Sequence, residues 1–409
     1  MTTEIPKHFC PQPFNYLHTS VSGRWKPCCR SYWSKKAESF EEWWFDDPDL
    51  AQLRSEMLTS PGEMCKKVCE KVCYDLERRG VKSYRNDAYH DFISGGLKSM
   101  ELIDTFKKTG MSVSSERFIT LKPKGLGNFC NLKCFMCPPH LSSSRSTEMI
   151  KMSNDTASIF YEDGIAGLDY RMKNNNKQVK EHQDLYFEII ELIGDQLSCI
   201  NLSGGEPTMI SGFIPILDKL VEAGHSKKMQ LFFNSNMTRQ SLLENSFADY
   251  FKEFKNVGIQ ASIDNVGKRD EWQRYPTKFY EVEECIDFIR TKYPRVYISA
   301  NTTWSVLNIE FVEEINEFLN TNKLKLATPL NFVLHPDKLS VGNHPYKEDL
   351  IKRYSKSNIF WINSIINELK NTPLNETHLY VLGAYAKELD LVRGTNALDL
   401  WPWLEKYYD

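Results

Sequence analysis

The sequence predicts an α/β protein whose centre is a partial (β/α)6 TIM-like barrel. From about residue 118, short runs of continuous apolar or β-branched residues alternate with amphipathic helical stretches. That is the pattern of parallel strands covered by helices. Six such strands are visible, where a closed barrel needs eight, so an open or partial barrel is expected, with a doubly wound sheet as the alternative. Both arrangements gather ligand chemistry at the C-terminal ends of the strands.

The first strand, FITLK (118–122), leads into a cysteine-containing loop, and a polar stretch follows. The helical pattern LYFEIIELIGDQL (185–197) then precedes the strand CINLS (199–203) and the helix FIPILDKLVEAG (213–224). The strand MQLFF (229–233) is followed by a helix around 240–253, and VGIQASI (257–263) by the helix FYEVEECIDFIRTKY (279–293). VYISANT (296–302) precedes FVEEINEFLNT (311–321), and PLNFVLH (329–335) is the last strand expected. The stretch 138–184 is rich in Ser, Asn and Lys and reads as a long loop, either a functional lid or disordered.

The chain ends differ from this middle. Residues 13–28 read as a hairpin around SVSGR (20–24), followed by the helix DLAQLRSEML (49–58). Beyond 345 the pattern is helical: Ile362, Ile365, Ile366 and Leu369 share a face, and a final amphipathic segment surrounds YVLGAYAKELDLVRG (380–394). Three units are expected: an N-terminal module over 1–90, the barrel over 91–340 and a helical region over 341–409.

Lys plus Arg number 51 against 54 Asp plus Glu, which gives no footprint for tight binding to duplex nucleic acid. The opening MTTEIPKHFCPQPFNYLHTS lacks the apolar run of a signal peptide, and no stretch approaches the ~20 apolar residues of a membrane span. A soluble, cytoplasmic protein without a membrane partner is expected. The eleven cysteines cluster at 10, 28, 29, 65, 69 and 73 and at 130, 134 and 137, whereas Cys199 and Cys285 stand alone. An odd total without an export signal argues for metal ligation over disulfides, with the two lone cysteines as small buried hydrophobes.

In GNFCNLKCFMCPPH (127–140), Cys130, Cys134 and Cys137 have the Cx3Cx2C spacing. They can hold a 4Fe–4S cluster by three thiolates with the fourth iron open, or, with His140, a Cys3His zinc ion. Other strand ends carry complementary groups. Gly204 and Gly205 allow close backbone approach, and Glu206 brings a carboxylate suited to an ammonium group. Asn234 and Asn236 suit hydroxyls, Ser262 and Asp264 stand at the next strand end, and Arg274 suits a carboxylate. Ammonium, carboxylate and ribose recognition together describe an amino acid joined to a nucleoside.

These residues resemble the radical S-adenosylmethionine (SAM) superfamily: CNLKCFMC matches its cysteine loop and SGGEP its SAM-ammonium motif, on successive βα units over roughly 118–335. Met136 departs from the pattern, because the residue before the third cysteine is commonly aromatic. The resemblance implies a SAM-binding 4Fe–4S cluster on Cys130, Cys134 and Cys137, and SAM held by Gly204, Gly205, Glu206, Asn234, Asn236, Ser262, Asp264 and Arg274. It further implies reductive cleavage of SAM to methionine and a 5′-deoxyadenosyl radical that abstracts hydrogen from substrate, with flavodoxin or ferredoxin as electron donor.

The N-terminal cysteines, on a hairpin and in MCKKVCEKVCYDLE (64–77), suit zinc, a second cluster or plain buried thiols. They resemble the twitch and SPASM auxiliary modules of radical SAM enzymes, although such modules usually follow the barrel. The resemblance implies an auxiliary 4Fe–4S cluster on Cys10, Cys28, Cys69 and Cys73, with Cys65 and Cys29 in reserve and Gly80, Ser83 and Arg85 at the module's end. The tail ELDLVRGTNALDLWPWL (388–404) resembles that of twitch-containing proteins, with Asp390 and Arg393 expected as a helix-end ion pair. Asn331 and His335 are the substrate-facing candidates. The expected function is oxidative modification, with the auxiliary cluster accepting an electron; the substrate is a small molecule or nucleotide-like metabolite ahead of a peptide. A redox-neutral epimerase or isomerase and a zinc-stabilised binding protein are the alternatives.

Overall fold

The computed structural model describes residues 5–20, 23–94, 97–109, 117–152, 154–161, 176–327, 331–333 and 335–408. Eight strands form one sheet: Tyr16–Thr19 (β1), Trp25–Lys26 (β2), Ile119–Lys122 (β3), Leu197–Leu202 (β4), Gln230–Ser235 (β5), Asn256–Ser262 (β6), Val296–Asn301 (β7) and Lys325–Leu326 (β8). The order is β2-β1-β3-β4-β5-β6-β7-β8, and every pair is parallel except β1 with β2. From β3 onward each strand is added on the same side of the last, with a helix between. Right-handed crossovers then place all those helices on one face and leave the other as the inner wall of a curved sheet.

The strand residues obey this division. Ile119, Leu121, Ile200, Leu202, Leu231, Phe233, Ile259 and Ile298 are buried in one core with Ile189, Ile216, Leu220, Ile286 and Ile315 of the covering helices. Each such side chain contributes roughly 1.5–3 kcal/mol when fully buried. The alternate positions Lys122, Asn201, Asn234, Gln260 and Asn301 line the inner wall.

The sheet is a mixed α/β open barrel, as the sequence predicts, but with seven parallel strands where six were expected. The additional one is β1, in register with β3 at Tyr16↔Thr120 and His18↔Lys122. The predicted hairpin therefore forms, and it also widens the barrel sheet. The two sheet edges approach each other: Arg30, just past β2, donates from Nη2 to Asn331 Oδ1, beyond β8, at 2.6 Å.

Two further expectations change. The last strand, expected over 329–335, is Lys325–Leu326, and Phe332 makes only an isolated bridge with Trp304; residues 328–330 and 334 lie outside the described ones. The stretch read as a long loop carries helices Ser143–Met149 and Asn154–Tyr161, and the helix Asn176–Ile193 begins within it. Its anchors Met149, Met152, Phe160 and Tyr161 are buried in a second core against Leu382, Tyr385 and Leu389 of the C-terminal helix Glu376–Arg393. Residues 153 and 162–175 lie outside the described residues.

The chain ends pack on the same body. Phe9, Trp25, Trp43 and Cys69 belong to the barrel's own core, and Arg79 pairs with Glu368 of the helix Ile362–Asn371 at 2.8 Å. Among the described residues, no helix is long and apolar enough to cross a membrane.

Candidate active site

The three-cysteine loop follows β3 and is fastened from four directions. The helix Ser143–Met149 closes beneath it: Ser143 Oγ accepts from Cys130 N at 3.3 Å and Ser144 Oγ donates to Cys130 O at 2.6 Å. On another side, Lys133 N and Phe135 N donate to the carbonyls of Tyr275 and Gln273 at 2.7 and 2.6 Å. Phe135 is buried against Phe160, Trp272 and Tyr385, with ring centroids 5.6, 4.9 and 5.5 Å away. Met136, the departure noted in the sequence, packs against the same core.

The loop after β4 docks directly on the cysteine loop. Glu206 N donates to Phe129 O at 2.7 Å and Gly205 N to Leu141 O at 3.1 Å. Gly205 has φ +56°, and a Cβ there would lie 2.4 Å from Phe129 O and 2.9 Å from Asn128 C. Only glycine permits that approach. Glu206 is buried, with Oε1 accepting from Thr208 Oγ1 (2.9 Å) and Ser235 Oγ (3.0 Å) and Oε2 from Asn236 N (2.8 Å). Burial pushes its carboxyl up, against the pull of those donors. In this structure the Glu206 carboxylate ties the β4 loop to the end of β5.

Asn236 reaches back to the cysteine loop, its Nδ2 donating to Asn131 Oδ1 at 2.8 Å, while Asn131 Nδ2 donates to Thr238 Oγ1 at 2.9 Å. Asn234 lies on the inner wall and donates to Gln260 Oε1 at 3.1 Å. Ser262 ends β6 beside Asn301 of β7. Asp264 and Arg274 are each other's partners at 2.6 Å, and Asp264 Oδ1 also accepts from Thr303 N at 2.8 Å. Burial opposes the Arg274 charge, but Cys134, Asp264 and Asp270 raise its pKa above the ordinary value. Arg274 in turn favours the thiolate form of Cys130, Cys134 and Cys137.

Left as thiols, these three cysteines are disfavoured as anions. Burial, then the Cys134 charge, push Cys130 up to about 12, and burial, then Cys134 and Cys130, raise Cys137. A bound cation reverses that balance, and Leu132 N already donates to Cys130 Sγ at 3.4 Å. Asn128 Nδ2 donates to the carbonyl of His140 at 3.3 Å. Among the described residues, no group of three or more His, Cys, Asp or Glu side chains is drawn together as for a single metal ion.

Behind the loop lies a charged cluster that the sequence did not reveal. Arg393 grips Glu148 through Nε–Oε1 and Nη2–Oε2, both 2.8 Å, and Nη2 also donates to Lys133 O at 2.6 Å. Arg145 pairs with the same carboxylate and with the Tyr385 hydroxyl. The side chains of Arg145, Glu148 and Arg393 are fully buried. Burial opposes the Glu148 charge, but the Arg393 hydrogen bond and the Arg145 charge hold its pKa below the usual range. The expected Asp390–Arg393 pair does not form. Asp390 instead accepts from Trp272 Nε1 at 2.7 Å and from Ala397 N, Thr395 and Tyr408.

Of the N-terminal cysteines, four act on one another, and Cys29 and Cys65 act on single members of that set while having partners of their own. Burial is the largest cause raising Cys10, Cys28, Cys69 and Cys73. Cys28 and Cys73 act further on Cys10, Cys29 and then Cys73 act on Cys28, and Cys10, Cys28, Cys73 and Cys65 all act on Cys69. Backbone donors serve them: Gln12 N for Cys10, Arg30 N and Ser31 N for Cys28, and Arg85 N for Cys73. The helix Glu63–Cys69 widens into a π-turn over Glu70–Tyr74, so Cys69 and Cys73 stay together across it. Cys65 is engaged instead with Tyr74 and Glu56. Cys29 is hydrogen-bonded to Tyr84 and acts on Lys122 at the inner wall. Ser83 and Arg85 both bind Glu77, and Arg85 Nη1 donates to Lys7 O at 2.9 Å.

Asn331 bridges Arg30 to Thr303, its Nδ2 lying 3.1 Å from Thr303 Oγ1, and His335 precedes the turn Asp337–Leu339. Cys285 is a core thiol as expected, whereas Cys199 occupies an inward position on β4, half-buried.

No protein-family model matches the chain, and no curated protein does. Among solved structures it aligns with native anSMEcpe with bound AdoMet at 18% identity, over 51% of this chain and 50% of that one, TM-score 0.34. It aligns with Streptococcus suis SuiB bound to S-adenosylmethionine at 14% identity, over 61% and 48%, TM-score 0.32. A second SuiB structure aligns at 13% identity over 78% and 60%, TM-score 0.32. The aligned region spans about half the length of the first two of these chains.

Proposed function

We propose that this chain is a radical SAM enzyme. The observation that carries the reading is the direct docking of the Gly204–Glu206 loop on the backbone flanking Cys130–Cys137, from Glu206 N to Phe129 O and from Gly205 N to Leu141 O, at a glycine where no side chain fits. The two motifs are separated by some seventy residues in sequence, yet they form one surface at the C-terminal ends of β3 and β4.

The donor set fits the cofactors. Cys130, Cys134 and Cys137 would hold a 4Fe–4S cluster, whose negative charge Arg274 is placed to offset. Backbone carbonyls of the glycine loop would receive the ammonium group of SAM, and Asn234 and Ser262 of the inner wall its ribose. When bound, the pair supplies one-electron cleavage of SAM and hydrogen-atom abstraction from substrate. The chain's own part is to orient that pair and exclude water from it, and the buried aromatic backing of Phe135 does the second.

We extend the reading to the N-terminal set. Cys10, Cys28, Cys69 and Cys73 suit an auxiliary 4Fe–4S cluster, since the four thiols act on one another and three of them have backbone donors of their own. Such a cluster would supply an electron acceptor for a substrate radical, so net oxidation of a small molecule fits better than redox-neutral rearrangement. Flavodoxin or ferredoxin would supply the first electron.

The test is anaerobic purification and reconstitution, followed by incubation with SAM and a low-potential reductant. About eight irons per chain, broad absorption near 400 nm and formation of 5′-deoxyadenosine are expected. A colourless, zinc-loaded protein that leaves SAM intact overturns the proposal.

A further inference from the structure

The inner wall near β1 and β3 concentrates positive charge. His18 is in register with Lys26 on one side and Lys122 on the other, so these three residues form a row across adjacent strands on the face away from the helices. Lys124 extends the row, its Nζ donating to Ser203 O at 2.7 Å. Arg30 enters from the sheet edge. Among the described residues, no carboxylate pairs with Lys26, Lys122 or Lys124; the groups acting on them are cysteines and other cations.

The same wall holds buried polar atoms without partners. Among the described residues, His18 Nδ1, Asn201 Oδ1 and Ser299 Oγ, at inward positions of β1, β4 and β7, find no hydrogen-bond partner. Uncompensated cations and orphaned polar atoms both cost stability when withdrawn from water, and their persistence on one surface points to a ligand that satisfies both. The cations call for an oxyanion and the orphaned atoms for hydroxyl groups. A single carboxylate neutralises one lysine, whereas a phosphate ester carries about −1.5 to −2 and three acceptor oxygens.

We propose that this row is a phosphate subsite, and that the substrate is a small hydroxyl-bearing phosphate ester held by Lys122, Lys124 and Lys26, with its hydroxyls on Asn201 and Ser299. That the ligand is a substrate rests on the radical SAM reading; its binding does not. The competing explanation is that the lysines merely offset the charge of the iron–sulfur clusters. Cys28 acts on Lys26 and Cys137 on Lys124, whereas the thiols acting on Lys122 are the reserve cysteine Cys29 and then Cys199, so Lys122 is the residue at which the two explanations part.

The experiment is calorimetric titration of the reconstituted full chain, without SAM or reductant, using ribose 5-phosphate, ribose and citrate as probes. Ribose 5-phosphate should bind, ribose should not, and citrate should bind more weakly. Lys122→Met should weaken ribose 5-phosphate binding about tenfold or more through loss of a charge-assisted contact. It should retain the wild-type iron content and cluster EPR signal, and its unliganded melting temperature should not fall, since it removes an unpaired charge. No binding to the wild type, equal binding to Lys122→Met, or citrate binding as tightly as the phosphate overturns the subsite. Loss of iron or an altered EPR signal in Lys122→Met assigns the lysines to the clusters instead. Because the readout involves no turnover, these failures are separable from failure of SAM cleavage.

Discussion

Replacing Gly205 by alanine tests whether contact between the two motif loops builds the site. Two penalties arise. The left-handed φ of +56° costs an L-residue roughly 1–2 kcal/mol. The new Cβ, 2.4 Å from Phe129 O, must also push the loops apart, which strains or breaks the bonds from Gly205 N and Glu206 N. At roughly 0.5–1.5 kcal/mol each, these bring the total to about 2–5 kcal/mol. Gly224→Ala is the control, because its φ is +71° with nothing within 4 Å of the added Cβ, so only the first penalty applies. Urea midpoints of both variants give the difference, while reconstituted iron and 5′-deoxyadenosine report the site. Gly205→Ala should lose 5′-deoxyadenosine formation at least a hundredfold, and Gly224→Ala should keep it. Equal destabilisation by the two, with SAM cleavage intact in Gly205→Ala, would refute the claim that the docked backbones form the cofactor surface.

Other perturbations bear on the supporting structure. Cys69→Ala should halve the iron of the reconstituted protein and Cys65→Ala should not; equal loss in both contradicts the division of the N-terminal thiols. Glu148→Gln leaves Arg145 and Arg393 without their shared counter-charge and should cost about 3–5 kcal/mol, and the pair Glu148→Met with Arg393→Met should recover part of it. Urea unfolding checks both. Burial holds the Asp270 carboxyl up to about 7, against an ordinary 3.8. The unfolded chain loses that proton first, so this group's contribution is complete below about pH 4 and vanishes as pH rises through 7. Asp270→Asn should therefore gain on the wild type between pH 5 and pH 8, by up to about 3 kcal/mol. A pH-independent difference in urea midpoints contradicts the burial effect.

Where a feature rests on local pattern, the sequence shows it. The strands β3 to β7 announce themselves as apolar runs, and the cysteine and glycine motifs are contiguous. Features that depend on distant partners are hidden. β1 is four residues, YLHT, and becomes a barrel strand only because β3, a hundred residues on, offers its edge. Ser143–Met149 contains one apolar residue and reads as loop, yet its Glu148 is buried because Arg145 and Arg393 meet it there. Asp390 and Arg393 lie three apart on one helix and read as a surface pair. The C-terminal core separates them, sending Arg393 to the cysteine loop and Asp390 to the Ala397 turn. Asn131 and Thr238 carry no motif, and only the fold makes them the link between the loop and β5.

The same reasoning accounts for how an N-terminal segment ahead of the barrel joins it. An open curved sheet has two free edges, and here they face each other closely enough for Arg30, beyond β2, to reach Asn331, beyond β8. A module entering at either terminus therefore arrives at one lateral opening. Entering first, this one places β1 against β3 and turns Cys29 towards Lys122 and Lys124. Lys124 is the hinge of the arrangement. Its Nζ holds Ser203 O beside Gly204, and Cys137 is among the charges acting on it. The basic row thus runs from the Ser203–Gly204 loop at one end to the N-terminal cysteines at the other. A ligand seated on it lies between the proposed site of hydrogen abstraction and the proposed electron acceptor, the order in which an oxidation uses them.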